Sequence, residues 1–264
     1  MQMVINSMAV YTSGNKNNKA IVFVHGFPFD NWMWHKQIQH FRKEFYCVSY
    51  DIRGLGESYV GDGQYTMEAY VSDLMSIINN LEIEKPIICA LSMGGYLALR
   101  AVEKYQDQFS GLILLDTKAD ADDDNGKLIR AQKINQINVD GLEAFVDGFV
   151  PPLFAEESEK SFKKLYNETI HRCKQNNPLG VKGALIAMLS RTSTVKFLKK
   201  IKIPTLVIAG AFDKLTPPPV MRDMADKITD SEFGIAPRAG HLSPLENAPF
   251  VNDMIEGFIK RRIK

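Results

Sequence analysis

Residues 86–105 read PIICALSMGGYLALRAVEKY. The first six of these are an apolar, β-prone run. From Gly95 onward Leu97, Ala98, Ala101, Val102 and Tyr105 recur at helical spacing. A strand therefore turns sharply into a helix at Ser92. The residues two before and two after it, Ala90 and Gly94, are small enough for strand and helix to approach, the pattern that thrusts a serine hydroxyl up at a strained turn. Ala90 stands where the first glycine of that pattern usually sits. Alanine tolerates positive φ poorly, so the strain is expected on Ser92 itself. A serine before a helix also serves as an N-cap, accepting from a first-turn N–H. The two readings differ in where the hydroxyl points.

Working outward toward the N-terminus, Ala20–Val24 (AIVFV) is a continuous apolar run, the mark of a strand covered on both faces. It ends at His25-Gly26-Phe27-Pro28, and strand ends are where ligands sit in an open parallel sheet. Gly26 lets the chain turn, so the N–H of Phe27 could face the crevice as one donor to a developing oxyanion. The N–H of Met93, directly after Ser92, would be the other. A plain strand-to-helix link is the competing reading. Residues 44–50 form a further strand that ends at Asp51, with Arg53 two residues on and expected to bond to it across the loop. Thr66 is placed to cap a helix over 67–81. Val4, Met8 and Val10 alternate weakly, as in one or two edge strands.

Toward the C-terminus, Gly111–Leu115 (GLILL) is another buried strand and closes on Asp116. Residues 118–191 then lack any such run. An acidic loop (Asp120, Asp122, Asp123, Asp124) leads into helical periodicity at 126–137, 141–150, 157–173 and 178–189. The chain thus divides into a core of 1–117 and 192–264 and a helical insertion of 118–191. Phe145, Phe149, Leu153 and Met188 of the insertion are candidates to line a pocket above the sheet. The acidic loop lacks the spacing and glycine of a calcium loop, so it is expected to be a solvated face and not a metal site.

Strand–helix alternation resumes at 204–210 (PTLVIAG) and 232–236, and a last helix follows over 249–263. The two strands lead to loops carrying Asp213 and His241. A sheet of mostly parallel strands with helices on both faces puts these loops and Ser92 on one edge, in the chain order Ser, Asp, His. Asp116 also ends a strand and competes for the acid role. Asp213 is favoured because the prolines after it rigidify its loop.

Basic and acidic residues number 32 and 31, so nothing calls for nucleic acid or an anionic membrane surface. The apolar runs are strand-sized and the first residues lack a signal pattern, so a cytoplasmic protein is expected. Cys47, Cys89 and Cys173 are widely spaced and read as buried structural thiols, not as a disulfide framework or metal ligands.

The set HGFP at 25–28, DIRGLGES at 51–58, ALSMGG at 90–95, GAFDKLTPP at 210–218 and AGHLSPLENA at 239–248 resembles the α/β-hydrolase fold superfamily. Within it, the chain is most similar to small carboxylesterases and 3-oxoadipate enol-lactonase-like proteins. The resemblance implies an α/β-hydrolase core with a helical cap at 118–191. It implies Ser92 as nucleophile, His241 as base, Asp213 as orienting acid, and the N–H groups of Phe27 and Met93 as the oxyanion hole. The expected chemistry is hydrolysis of a small ester or lactone through an acyl-enzyme, without metal or organic cofactor. Monomer and homodimer stay equally open. The same three side chains would also serve C–C bond hydrolysis, acyl transfer or cofactor-free perhydrolysis, and a ligand receptor can retain them.

Overall fold

The apolar runs become the interior of one eight-stranded sheet in the computed structural model, which describes residues 1–263. Its strands are β1 (Gln2–Ile5), β2 (Met8–Ser13), β3 (Ala20–Val24), β4 (Tyr46–Tyr50), β5 (Ile87–Leu91), β6 (Gly111–Leu115), β7 (Thr205–Gly210) and β8 (Ser231–Ala236). They lie in the order β1-β2-β4-β3-β5-β6-β7-β8. β1 and β2 form a hairpin, its two turn residues Asn6 and Ser7 both at positive φ, and β2 runs antiparallel to β4. Every other pairing is parallel. All residues of β3, β5, β6 and β7 are buried, as a sheet covered on both faces requires.

The covering helices of the core's first half are α1 (His35–Phe41), α2 (Met67–Asn80) and α3 (Met93–Tyr105). Thr66 caps α2 by accepting from the N–H of Ala69. Between β6 and β7 come five more helices. α4 (Asp124–Phe149) breaks at Gly141, at φ 86° and ψ 168°, so the two helices expected over 126–137 and 141–150 are its two limbs. The helix expected over 157–173 is instead α5 (Ser158–Ser161) and α6 (Lys163–Lys174), parted at Phe162. α7 (Pro178–Ser190) follows, and it docks closely on the core: a Cβ on Gly180 would collide with the carbonyl of Gly54. Asn176 adds bonds to the N–H of Gly56 and the carbonyl of Pro28, both 2.8 Å. The chain returns through α8 (Val195–Leu198), and α9 (Pro218–Asp226), α10 (Ser243–Glu246) and α11 (Ala248–Arg262) complete the core. Among the described residues no helix is long and apolar enough to cross a membrane.

Two local expectations are corrected. Arg53 does not pair with Asp51; its guanidinium reaches across to Asp73 on α2. Asp51 instead accepts from the N–H of Asn31 (2.7 Å) and of Glu57 (2.9 Å), bracing two loops. Nor is the acidic loop wholly solvated. The Asp122 side chain is 4% exposed and pairs with Arg130, with Arg191 at 3.0 Å and with Lys118 at 3.5 Å. Burial works to raise this carboxyl, but the two guanidinium groups outweigh it and hold the group well below the ordinary carboxylate range. Asp123 caps α4 through the N–H of Gly126. The three cysteines are buried and unbridged.

Candidate active site

Ser92 joins the end of β5 to the start of α3 at φ 52° and ψ −116°, a conformation costly for any residue with a Cβ. Ala90 keeps negative φ, so the strain falls on the serine. The turn is over-determined by its neighbours. The Ser92 N–H donates to Leu115 O at 3.0 Å, and its carbonyl accepts from Thr117 Oγ1 at 2.7 Å. Gly94 is obligatory in this packing, because a Cβ there would run into the carbonyls of Val24 and His25. The hydroxyl makes no capping bond to α3. It lies 2.8 Å from His241 Nε2, which removes the N-cap reading.

His241 stands on the loop after β8, and its Nδ1 lies 2.8 Å from Asp213 Oδ2 on the loop after β7. Asp213 Oδ1 accepts from the N–H groups of Leu215 (2.8 Å) and Thr216 (3.0 Å), and Oδ2 also accepts from Thr216 Oγ1 (2.6 Å). Burial pushes this carboxyl up, but the bonds from His241 and Thr216 prevail and hold it below its ordinary value. An ionised Asp213 can only accept. The hydrogen-bond network therefore assigns the imidazole proton to Nδ1 and leaves Nε2 to accept from Ser92. Thr216, three residues after Asp213, is the partner in an Asp-initiated turn, a spacing visible in the sequence.

Asp116 takes no part in this relay. Its carboxylate accepts from the N–H of Gly210 (2.7 Å) and from the N–H (3.2 Å) and hydroxyl (2.5 Å) of Ser243. It thereby ties the strand leading to Asp213 to the loop bearing His241. Full burial, with Asp213 nearby, pushes its carboxyl well up.

Among the described residues no protein group accepts from the N–H of Phe27 or Met93, which leaves both free for a ligand oxygen. His25 has a different task from its neighbours. Its Nε2 accepts from the N–H of Ile52 and its Nδ1 donates to Gly26 O, both at 2.8 Å, and burial lowers its pKa. It is thus a neutral brace between the loops after β3 and β4. The Phe27 ring meets Phe149 at 5.5 Å and Phe145 at 6.2 Å between centroids, and those two stack on each other at 5.2 Å. The ammonium of Lys133 sits 4.1 Å from the Phe149 ring centre, its pKa pushed down to about 8 by burial and the nearby Arg130. Leu153 reaches the site through its backbone, its carbonyl accepting from the His241 N–H at 2.7 Å. The Met188 sulfur lies 3.3 Å from an Arg130 nitrogen.

Comparison with known proteins agrees with this architecture. The model of the alpha/beta hydrolase fold family matches residues 19–248. A thermophilic esterase from Thermogutta terrifontis, solved with malate bound, is 32% identical; the match covers 99% of this chain and 98% of that one, with a TM-score of 0.94. The 3-oxoadipate enol-lactonase 1 of Acinetobacter baylyi is 28% identical over 96% of this chain and 93% of its own length. A bromoperoxidase from Bacillus anthracis, 21% identical, shares the fold at a TM-score of 0.89 over 98% of this chain and 100% of that one. With a strained serine between strand and helix and the family's pattern running from one end of the core to the other, the chain belongs to the alpha/beta hydrolase fold family.

Proposed function

We propose that this hydrolase cleaves small carboxylic esters or lactones through an acyl-enzyme on Ser92. The observation that carries the reading is the unbroken relay from Ser92 Oγ through His241 to Asp213, with both contacts at 2.8 Å. Names of relatives support it, since an esterase and an enol-lactonase both align over nearly the whole chain.

A serine hydroxyl attacks a carbonyl only when its proton has somewhere to go. As Oγ bonds to the substrate carbon, His241 Nε2 takes that proton, and Asp213 stabilises the imidazolium through Nδ1–H. The carbonyl oxygen gains the electron pair and is met by the N–H groups of Phe27 and Met93; one such donor contributes on the order of 3 kcal/mol. The oxyanion then collapses, the carbon–oxygen bond to the leaving group breaks, and that oxygen receives the proton from Nε2. A lactone differs only in that the released hydroxyl stays tethered to the acyl chain. Water, deprotonated by His241, repeats the sequence on the acyl-enzyme and frees Ser92.

Ser92→Ala tests this directly. Turnover of p-nitrophenyl acetate should fall below about one per cent of wild type with the fold unchanged, because the hydroxyl contributes little to packing. A serine-directed phosphonate should label wild type once, at Ser92. Residual turnover above a few per cent with contamination excluded, or labelling elsewhere, rejects the assignment. Release of many equivalents of product per chain separates an enzyme from a receptor, which would stall after about one.

A further inference from the structure

Glu246 is a buried carboxylate that the chemistry above does not use. It sits in α10, 4% exposed, and all its bonds are to donors. Oε1 accepts from the N–H of Ala155 (2.7 Å) and the hydroxyl of Ser158 (2.6 Å) in the helical insertion. Oε2 accepts from the N–H groups of Gly240 (2.8 Å) and Leu242 (3.3 Å), the residues on either side of His241. The His241 N–H donates to Leu153 O of the insertion, and the Ser243 N–H to Asp116. Four successive N–H groups, 240 to 243, are therefore all held: two by Glu246, which the insertion's Ala155 and Ser158 also engage, one by Leu153 O of the insertion and one by Asp116 at the end of β6.

The contact between loop and insertion is direct. A Cβ on Gly240 would lie 2.6 Å from both Ala155 N and Leu153 O, so no side chain separates the two backbones. Beside this contact the junction opens into a groove of about 1000 Å³, bordered by Ala155, Ser158, Phe162, Asp213, Pro217 and Glu246.

We infer that Glu246 is a positioning residue that registers segment 153–158 of the insertion against the His241 loop, so that the imidazole is aligned on Ser92 only while that segment is docked. The inference rests on His241 being the base. Gly240 and Leu242 fix the path of the backbone through His241, and with it the origin of the imidazole. Displacement of a catalytic group by about 1 Å, even from a distant change, can cost about 10²-fold in rate. The insertion, which also carries Phe145 and Phe149, thereby acts on the chemical step as well as on the substrate wall.

The test uses the full-length protein, with kcat expressed per site titrated to completion by a p-nitrophenyl phosphonate. Glu246→Gln keeps the volume but turns an N–H₂ toward one pair of donors, and kcat per titrated site should fall about 10- to 100-fold with KM within about threefold. Ser158→Ala removes one donor on the insertion side only, and should lower kcat about three- to tenfold with the same split. Because both act through one carboxylate, the double variant should be no more than about twofold below Glu246→Gln. Glu246→Gln that loses thermal stability but keeps wild-type kcat per titrated site would overturn the inference and leave a purely structural residue. If Glu246→Gln does not fold, unchanged kcat in Ser158→Ala overturns it by itself. Failure of the phosphonate to label Ser92 in wild type would instead reject the underlying site reading.

Discussion

Exchanging Asp213 for asparagine isolates the relay, because the structure dictates which way the amide must turn. Oδ1 of Asp213 is held by two main-chain N–H groups, of Leu215 and Thr216, that can only donate. The asparagine oxygen must stay there, which puts its N–H₂ where Oδ2 now lies, 2.8 Å from His241 Nδ1. An N–H₂ in that place donates to Nδ1 and forces the imidazole proton onto Nε2. Nε2 can then no longer accept from Ser92. In serine proteases the same exchange costs about 10⁴ in kcat, or about 5.4 kcal/mol of transition-state stabilisation. Here Thr216 Oγ1 lies 3.4 Å from Nδ1 and offers the correct tautomer a minor alternative acceptor. The expected loss for Asp213→Asn is therefore about 10²–10⁴ in kcat, with KM within about threefold. Asp116→Asn should cost under about tenfold, since its carboxylate bonds to Gly210 and Ser243 and not to the imidazole. Steady-state kinetics on p-nitrophenyl acetate at one fixed pH, with both variants confirmed folded by circular dichroism, checks the pair. A larger loss at Asp116, or an Asp213→Asn enzyme within tenfold of wild type, refutes the reasoning.

Shrinking the aromatic wall should alter selectivity before rate: Phe149→Ala should shift the ratio of kcat/KM between butyrate and acetate esters about tenfold, while acetate alone changes under about threefold. Equal slowing of every ester would assign the ring to stability. Asp122→Asn leaves Arg130 and Arg191 without their shared carboxylate, and urea unfolding at neutral pH should show a loss of about 3 kcal/mol. Because the folded Asp122 carboxyl is held low, that contribution is present above the ordinary carboxylate pKa of about 4 and disappears as pH falls further, so wild type and variant should converge in acid. His25 titrates in a different window: its folded pKa is lowered by burial, so below about pH 6.5 the unfolded chain gains a proton that the folded one resists, and stability falls by up to about 1.4 kcal/mol per pH unit. His25→Asn should flatten that limb of the urea-midpoint profile, and an unchanged limb would place the titration elsewhere.

The strands of the sheet were legible from the sequence because burial on both faces leaves a local trace, a short run of β-branched and aliphatic residues between turn formers. AIVFV, PIICAL, GLILL and PTLVIAG needed no partner to be read. The turn at Ser92 was legible for the same reason, and with it the prediction that the serine and not Ala90 would carry positive φ. The prolines after Asp213 already favoured it over Asp116, but only the tertiary structure shows what each carboxylate meets. Gly210 and Ser243, distant in the chain, engage Asp116, and Asp213 faces the imidazole. The same holds for Arg53, whose expected partner lay two residues away but whose actual one is on α2, and for Asp122, buried against Arg191 across the insertion. Nothing in the sequence around Glu246 marks its task, because Ala155 and Ser158 come to it from about ninety positions earlier in the chain. Periodicity reports how much of a residue is buried, because burial is averaged over many neighbours. A hydrogen bond is made to one atom, and which atom arrives is settled only when the chain has closed on itself.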